Sequence, residues 1–198
     1  MTRRENLAKL LAEIRACRVC APYLPHGARP IIRASKTARI LIAAQAPGIR
    51  VHETGLSFND PSGDRLRDWL KLDRETFYDE SRIAIIGMGF CFPGYTASGA
   101  DKPPRPECAP LWQARVMAAL PPTKLTLAVG TYAINWHLGD KRKSTMTETV
   151  KAWREYGPSL MPLPHPSWRN NAWLKKNPWF EKKLLPDLRA RVRLALDS

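Results

Sequence analysis

The chain has 198 residues, of which 44% are hydrophobic and 25% charged. That balance excludes a disordered tail and is long enough for a sizeable core, and no apolar run nears the ~18 residues of a membrane helix. Lys plus Arg number 32 against 18 Asp plus Glu, a net +14 that favours a polyanionic partner, with nucleic acid the commonest.

The opening Met1-Thr2-Arg3-Arg4-Glu5-Asn6 reads as the lead-in to an amphipathic helix rather than a signal peptide. Leu7, Leu10, Leu11 and Ile14 predict that helix over 5–16. A stretch with cysteines and prolines follows over 17–37. Residues 39–45 (RILIAAQ) read as a buried strand ending at Ala46-Pro47-Gly48, and 48–63 as a long loop. Ser62 is the expected cap of a helix carrying Leu66, Trp69 and Leu70. The second buried strand is 82–88 (RIAIIGM), trailed by a Pro- and Gly-rich loop over 89–106 and a helix over 110–120. The third strand is 125–130, with a helix over 131–138 and a basic loop at Lys141-Arg142-Lys143-Ser144. Thr147 is the expected cap of a helix to about Tyr156. The fourth strand, 159–163, runs into Pro164-His165-Pro166-Ser167. Asn177-Pro178 predicts the start of a last helix toward Leu196, kinked at Pro186.

Four apolar strands alternating with helices predict an α/β fold: a three-layer α/β/α sandwich around a four-stranded parallel sheet, as one domain over 1–198. Ligands of such sheets bind at the carboxyl ends of the strands. The polar, Gly- and Pro-rich loops after strands one, two and four belong to that edge.

Two motifs lie there. Ala44-Gln45-Ala46-Pro47-Gly48 ends the first strand, and Gly55-Leu56-Ser57-Phe58-Asn59-Asp60-Pro61-Ser62-Gly63 follows in the loop. A Pro-Gly turn lets backbone amides approach a ligand, Gln45 offers hydrogen bonds to a heterocycle, and Phe58 offers a stacking face. An ordinary strand-to-helix connection with a core Phe has the same look. The second motif is His165-Pro166-Ser167-Trp168-Arg169-Asn170. An imidazole between two prolines is presented rigidly and is suited to stabilising a developing anion, while Arg169 and Asn170 suit phosphate or a base edge. The four cysteines, Cys17, Cys20, Cys91 and Cys108, are a soft thiolate set suited to an iron–sulfur cluster or zinc; four buried free thiols are the plain alternative.

Together the motifs resemble the uracil-DNA glycosylase superfamily, in its family-4-like branch, in order over about residues 14–190. The resemblance implies a monofunctional DNA glycosylase of base excision repair, working as a monomer in the cytoplasm at the nucleoid on DNA with a deaminated base, uracil first. It implies base flipping, with Phe58 stacking on the base, Gln45 and Ala46 on its edge and His165 stabilising the leaving anion. Water falls to Glu53 or His52. Ser167, Trp168, Arg169 and Asn170 wedge into or grip the DNA, aided by Lys141, Lys143, Lys175 and Lys176. The cysteines match the branch's spacing for a [4Fe–4S] cluster. Three departures stand out. Ala44-Gln45 replaces Gly-Glu, His52 takes a usually acidic place after Pro-Gly, and Gly87 stands where an Asn reads uracil; Asn59 is the candidate replacement. The loss of that reader makes hypoxanthine or xanthine an alternative substrate. The same departures leave a lesion- or abasic-site-binding protein with little turnover as the alternative function, including a version in which His52 attacks the sugar.

Overall fold

The structure is a computed structural model that describes residues 5–197; the lead-in at 1–4 lies outside them. Four strands form one parallel sheet in the order β2-β1-β3-β4, with β1 Ile40–Ala44, β2 Ile83–Gly87, β3 Leu125–Val129 and β4 Leu160–Leu163. Successive strand residues point to opposite faces, yet nearly all of them are buried. Both faces are therefore covered, which is the three-layer α/β/α arrangement. One continuous apolar cluster joins the sheet to the helices. Pro162 is tolerated because β4 is an edge strand. The opposite edge is shielded by the segment around Arg33, which bridges Ile85 antiparallel.

The helices are α1 Leu7–Arg15, α2 Ile49–Thr54, α3 Pro61–Leu70, α4 Arg74–Tyr78, α5 Cys108–Ala119, α6 Thr131–Leu138, α7 Met146–Lys151, α8 Asn171–Lys176 and α9 Leu185–Asp197. The predicted strands and the helices at 5–16, 110–120 and 131–138 are present at nearly the expected bounds.

The differences have local causes. The segment read as a long loop holds α2, too short to show periodicity because Val51 is its one buried residue. Asp60, not Ser62, caps α3: its carboxylate accepts the Gly63 N–H at 2.8 Å, and Pro61 supplies the first turn. Thr145, not Thr147, caps α7 in a reciprocal capping box with Glu148. That helix stops at Lys151 and continues as a 3₁₀ turn over Trp153–Tyr156. Asn177 does open the last helical run, its carbonyl accepting from the Phe180 N–H at 2.9 Å, but its side-chain oxygen takes the Trp179 indole N–H instead of a backbone amide. Pro186 lies just after a π-helical turn, Phe180–Leu184. Widening the helix there accommodates the proline ring against the carbonyl four residues back.

Parallel register levels the ends of β1 and β2, with Ala44 opposite Gly87. The ladder runs on into the loops: the Met88 N–H donates to Ala44 O and the Gly89 N–H to Gln45 O, each at 2.9 Å. On the other side the Gly130 N–H donates to Leu163 O at 2.9 Å. The ends of all four strands thereby reach one edge.

Candidate active site

At that edge lies an open cleft of about 350 Å³, within the usual range for a small-molecule pocket. Its floor is Gln45, Ala46, Pro47, Gly48, Gly87 and Gly89, and Phe58, His165, Ser167, Trp168 and Arg169 border it. The two sequence motifs, more than a hundred residues apart, thus meet across one space.

His165 is held by its own loop. The Ser167 backbone N–H donates to His165 Nδ1 at 3.2 Å, so in the neutral ring the proton resides on Nε2. The Asn170 side-chain amide donates to His165 O at 2.7 Å, and Arg65 Nη1 donates to Ser167 O at 3.1 Å. Loss of hydration holds the imidazole pKa below its ordinary value, with the Asp60 charge opposing. The hydrogen bond to Nδ1 and the burial both favour the neutral ring with its proton on Nε2.

Phe58 has a left-handed backbone, φ 56°, which costs a bulky residue strain. Its carbonyl is gripped by Tyr78 Oη at 3.0 Å and by Arg67 Nη1 at 3.3 Å, and its ring packs edge-to-face on Phe77. A Cβ on Gly63 would overlap the Phe58 carbonyl oxygen, so glycine is required where α3 passes beneath. Arg67 and Tyr78 support the site yet carry no motif; Asp60 and Gly63 end the first motif, where their supporting roles had no signal of their own.

A uracil-DNA glycosylase superfamily model matches residues 33–189. The chain belongs to that superfamily. Its members are DNA glycosylases, hydrolases that act on DNA. No helix among the described residues is long and apolar enough to cross a membrane.

Within this superfamily framework the remaining residues divide. Gln45, Ala46, Gly87, Phe58, His165, Ser167, Trp168 and Arg169 share the cleft. Gly87 contributes backbone alone: a Cβ there would lie 2.5 Å from Gly89 O, and Gln113, fully buried, donates to Gly87 O at 2.6 Å. Asn59 does not line the cleft; its side-chain oxygen accepts from Arg74 Nη2 at 2.9 Å. His52 and Glu53 do not line it either. The His52 ring packs near His26 and Phe92, centroids 6.2 Å apart in each case, because α2 turns that face away from the strand ends. Glu53 is exposed, and its backbone carbonyl, like that of His52, accepts from Arg29. Trp168 is 70% exposed at the rim, with Arg169 over its ring at 5.7 Å. Asn170 spends its amide on His165 O. Lys143 pairs with Glu155 at 2.5 Å.

The cysteines also converge. Cys17, Cys20, Cys91 and Cys108 all line a second, mostly apolar cavity, walled by Leu24, Phe90, Leu111 and Trp112. Burial pushes the Cys91 thiol up to about 11 and the Cys108 thiol to about 12, and the four thiols interact electrostatically with one another. The Cys20 thiol faces Glu107 at 3.8 Å, and Glu107 is bridged to Arg105 at 2.5 Å. Among the described residues no group of three or more His, Cys, Asp or Glu side chains is set to hold a metal ion. Four soft thiol donors at one cavity are a donor set suited by its chemistry to an iron–sulfur cluster or to zinc.

Proposed function

We propose that this chain is a monofunctional DNA glycosylase of base excision repair that removes a deaminated base, uracil first, by flipping it into the cleft. The observation that carries the reading is His165, presented as a neutral Nε2–H donor across the cleft from the Phe58 ring. Breaking the glycosidic bond leaves negative charge on the base and an oxocarbenium-like sugar. A neutral donor already oriented toward that charge costs no reorganisation at the moment of reaction. Phe58 stacks on the flipped base, and Gln45 and the backbone of Ala46 and Gly87 meet its edge. Trp168 occupies the gap in the stack, and Arg169, with Lys175 and Lys176 nearby in sequence, holds the backbone. Neither motif carries a lysine nucleophile, so the reading is hydrolysis without strand cleavage.

A second substrate reading has its own support. Gly87 has no room for the side chain that would read uracil, so hypoxanthine or xanthine fits the same scheme. Of the lesion-binding alternative, the version in which His52 attacks the sugar is disfavoured because His52 lies off the cleft.

In the cysteine cavity we propose a [4Fe–4S] cluster held by Cys17, Cys20, Cys91 and Cys108. When bound it would supply a structural tie, joining the turn after α1 to the loop after β2 and the start of α5. Binding would require the thiols to deprotonate, against the burial that raises Cys20, Cys91 and Cys108.

The test uses oligonucleotides carrying one uracil, hypoxanthine or xanthine, single- and double-stranded, with and without hot alkali. Scission at uracil only after alkali supports the first reading. Scission at hypoxanthine or xanthine alone moves the substrate, and no scission with retained binding overturns the enzyme reading.

A further inference from the structure

The resemblance puts the water-directing group just after the Pro-Gly turn, but no carboxylate of α2 lines the cleft. The carboxylates that do are Asp60 and Asp101. Asp60 is committed to capping α3. Asp101 is not: among the described residues its side chain accepts no hydrogen bond and joins no ion pair. It is mounted on a tight hairpin in the loop after β2, where the Thr96 N–H donates to Ala100 O at 2.7 Å and the Lys102 N–H to Gly94 O at 2.9 Å. That mount carries Asp101 Oδ2 to 3.4 Å from where a Cβ on Gly48 would sit, directly over the Pro-Gly turn. Asp101 also borders an adjoining recess with Gln45, Pro47, His165 and Arg169.

We propose, resting on the glycosylase reading above, that Asp101 is the general base that directs water onto the sugar. The role normally supplied from the first motif is here supplied from the loop after β2. The water oxygen forms a bond to C1′ while the C1′–N bond breaks. Its electron pair leaves with the base, which His165 stabilises as an anion. The proton lost by the water passes to Asp101, and the base takes up a proton from solvent. Asp101 shares its surroundings with Tyr95 on the same hairpin, Lys102 beside it, Asp60 from α3, and His165 and Arg169 from the loop after β4; Arg50 and Arg65 also line the cleft. Loss of hydration raises its carboxyl above the ordinary range, Arg169 opposes, and the Asp60 charge adds to the rise. A base of that kind must be ionised to act, so the rate climbs with pH through the raised value.

The experiment measures single-turnover excision across pH 4.5–8 by wild type, Asp101→Asn, Asp101→Glu and Glu53→Gln, with DNA affinity and thermal melting of each. The expected result is a fall of about 10²-fold or more for Asp101→Asn, in line with general-base catalysis. DNA affinity stays within about threefold, the acid limb of the profile disappears, and Asp101→Glu restores part of the rate. Asp101→Asn within about threefold of wild type at every pH overturns the proposal, as does loss on Glu53→Gln without loss on Asp101→Asn. A wild type that excises no base removes the glycosylase reading, and this inference with it.

Discussion

The proposed donor role of His165 rests on two features: Nδ1 accepts the Ser167 N–H, and desolvation disfavours the imidazolium. His165→Ala is expected to lower single-turnover excision by about 10²–10³-fold, the scale of losing one oriented donor to a developing anion. DNA affinity should change little, since backbone contacts dominate it. A substitution that weakens binding and leaves the excision rate intact would contradict this role. His137 makes a contrasting case outside the cleft. Its Nε2 is buried without a partner, and desolvation lowers its pKa to about 4. The unfolded imidazole takes up a proton below about pH 6.5 that the native one refuses. Stability is therefore lost as pH falls from about 6.5 toward 4, by roughly 3 kcal/mol. Urea titrations at pH 7 and 4.5 check it, and His137→Leu should flatten the difference.

At the scale of elements, short caps and turns decide where the working residues stand. The Asp60 cap, the glycine at 63 and the Arg67–Tyr78 grip together hold Phe58 in its left-handed backbone. Gly63→Ala should push the Phe58 carbonyl out of place, lowering both the melting temperature and excision. Melting unchanged with excision unchanged would show that the α3 approach is slack. Thr145→Ala, which removes the capping box of α7, should cost about 1 kcal/mol in denaturant unfolding. These features were hard to read in advance for physical reasons. A six-residue helix such as α2 has no repeating apolar face, and Asp60, Ser62, Thr145 and Thr147 are all chemically competent caps. The choice between neighbouring caps depends on which turn packs, and local sequence does not contain that information. The strands were legible because each is buried on both faces and so appears as an unbroken apolar run.

At the scale of the whole molecule, the +14 charge requires that DNA binding be salt-dependent. The logarithm of the association constant should fall linearly with the logarithm of salt concentration, by about 0.9 for each phosphate contacted on duplex DNA. A flat salt response would remove DNA as the partner of that charge. The cysteine cavity joins segments from 17 to 108, so the proposed cluster would bear on the whole N-terminal half. Protein purified without oxygen should carry about four iron and four sulfide per chain. Replacing any one of the four cysteines by Ser should lower both contents and the melting temperature. Zinc in place of iron would favour a single-ion centre instead.

Chain order, composition and hydrophobic pattern by themselves determined the four strands, their alternation with helices, the basic surface and the two motifs at the strand ends. These follow from local rules: burial on both faces, turn chemistry and charge. Only the tertiary structure decided which side chains share a space. It set Asn59 against Arg74, turned His52 and Glu53 away from the cleft and brought Asp101 over Gly48. The physical reason is that the direction of a side chain on a short helix or hairpin depends on what packs beneath it. Those packing partners lie tens of residues away along the chain.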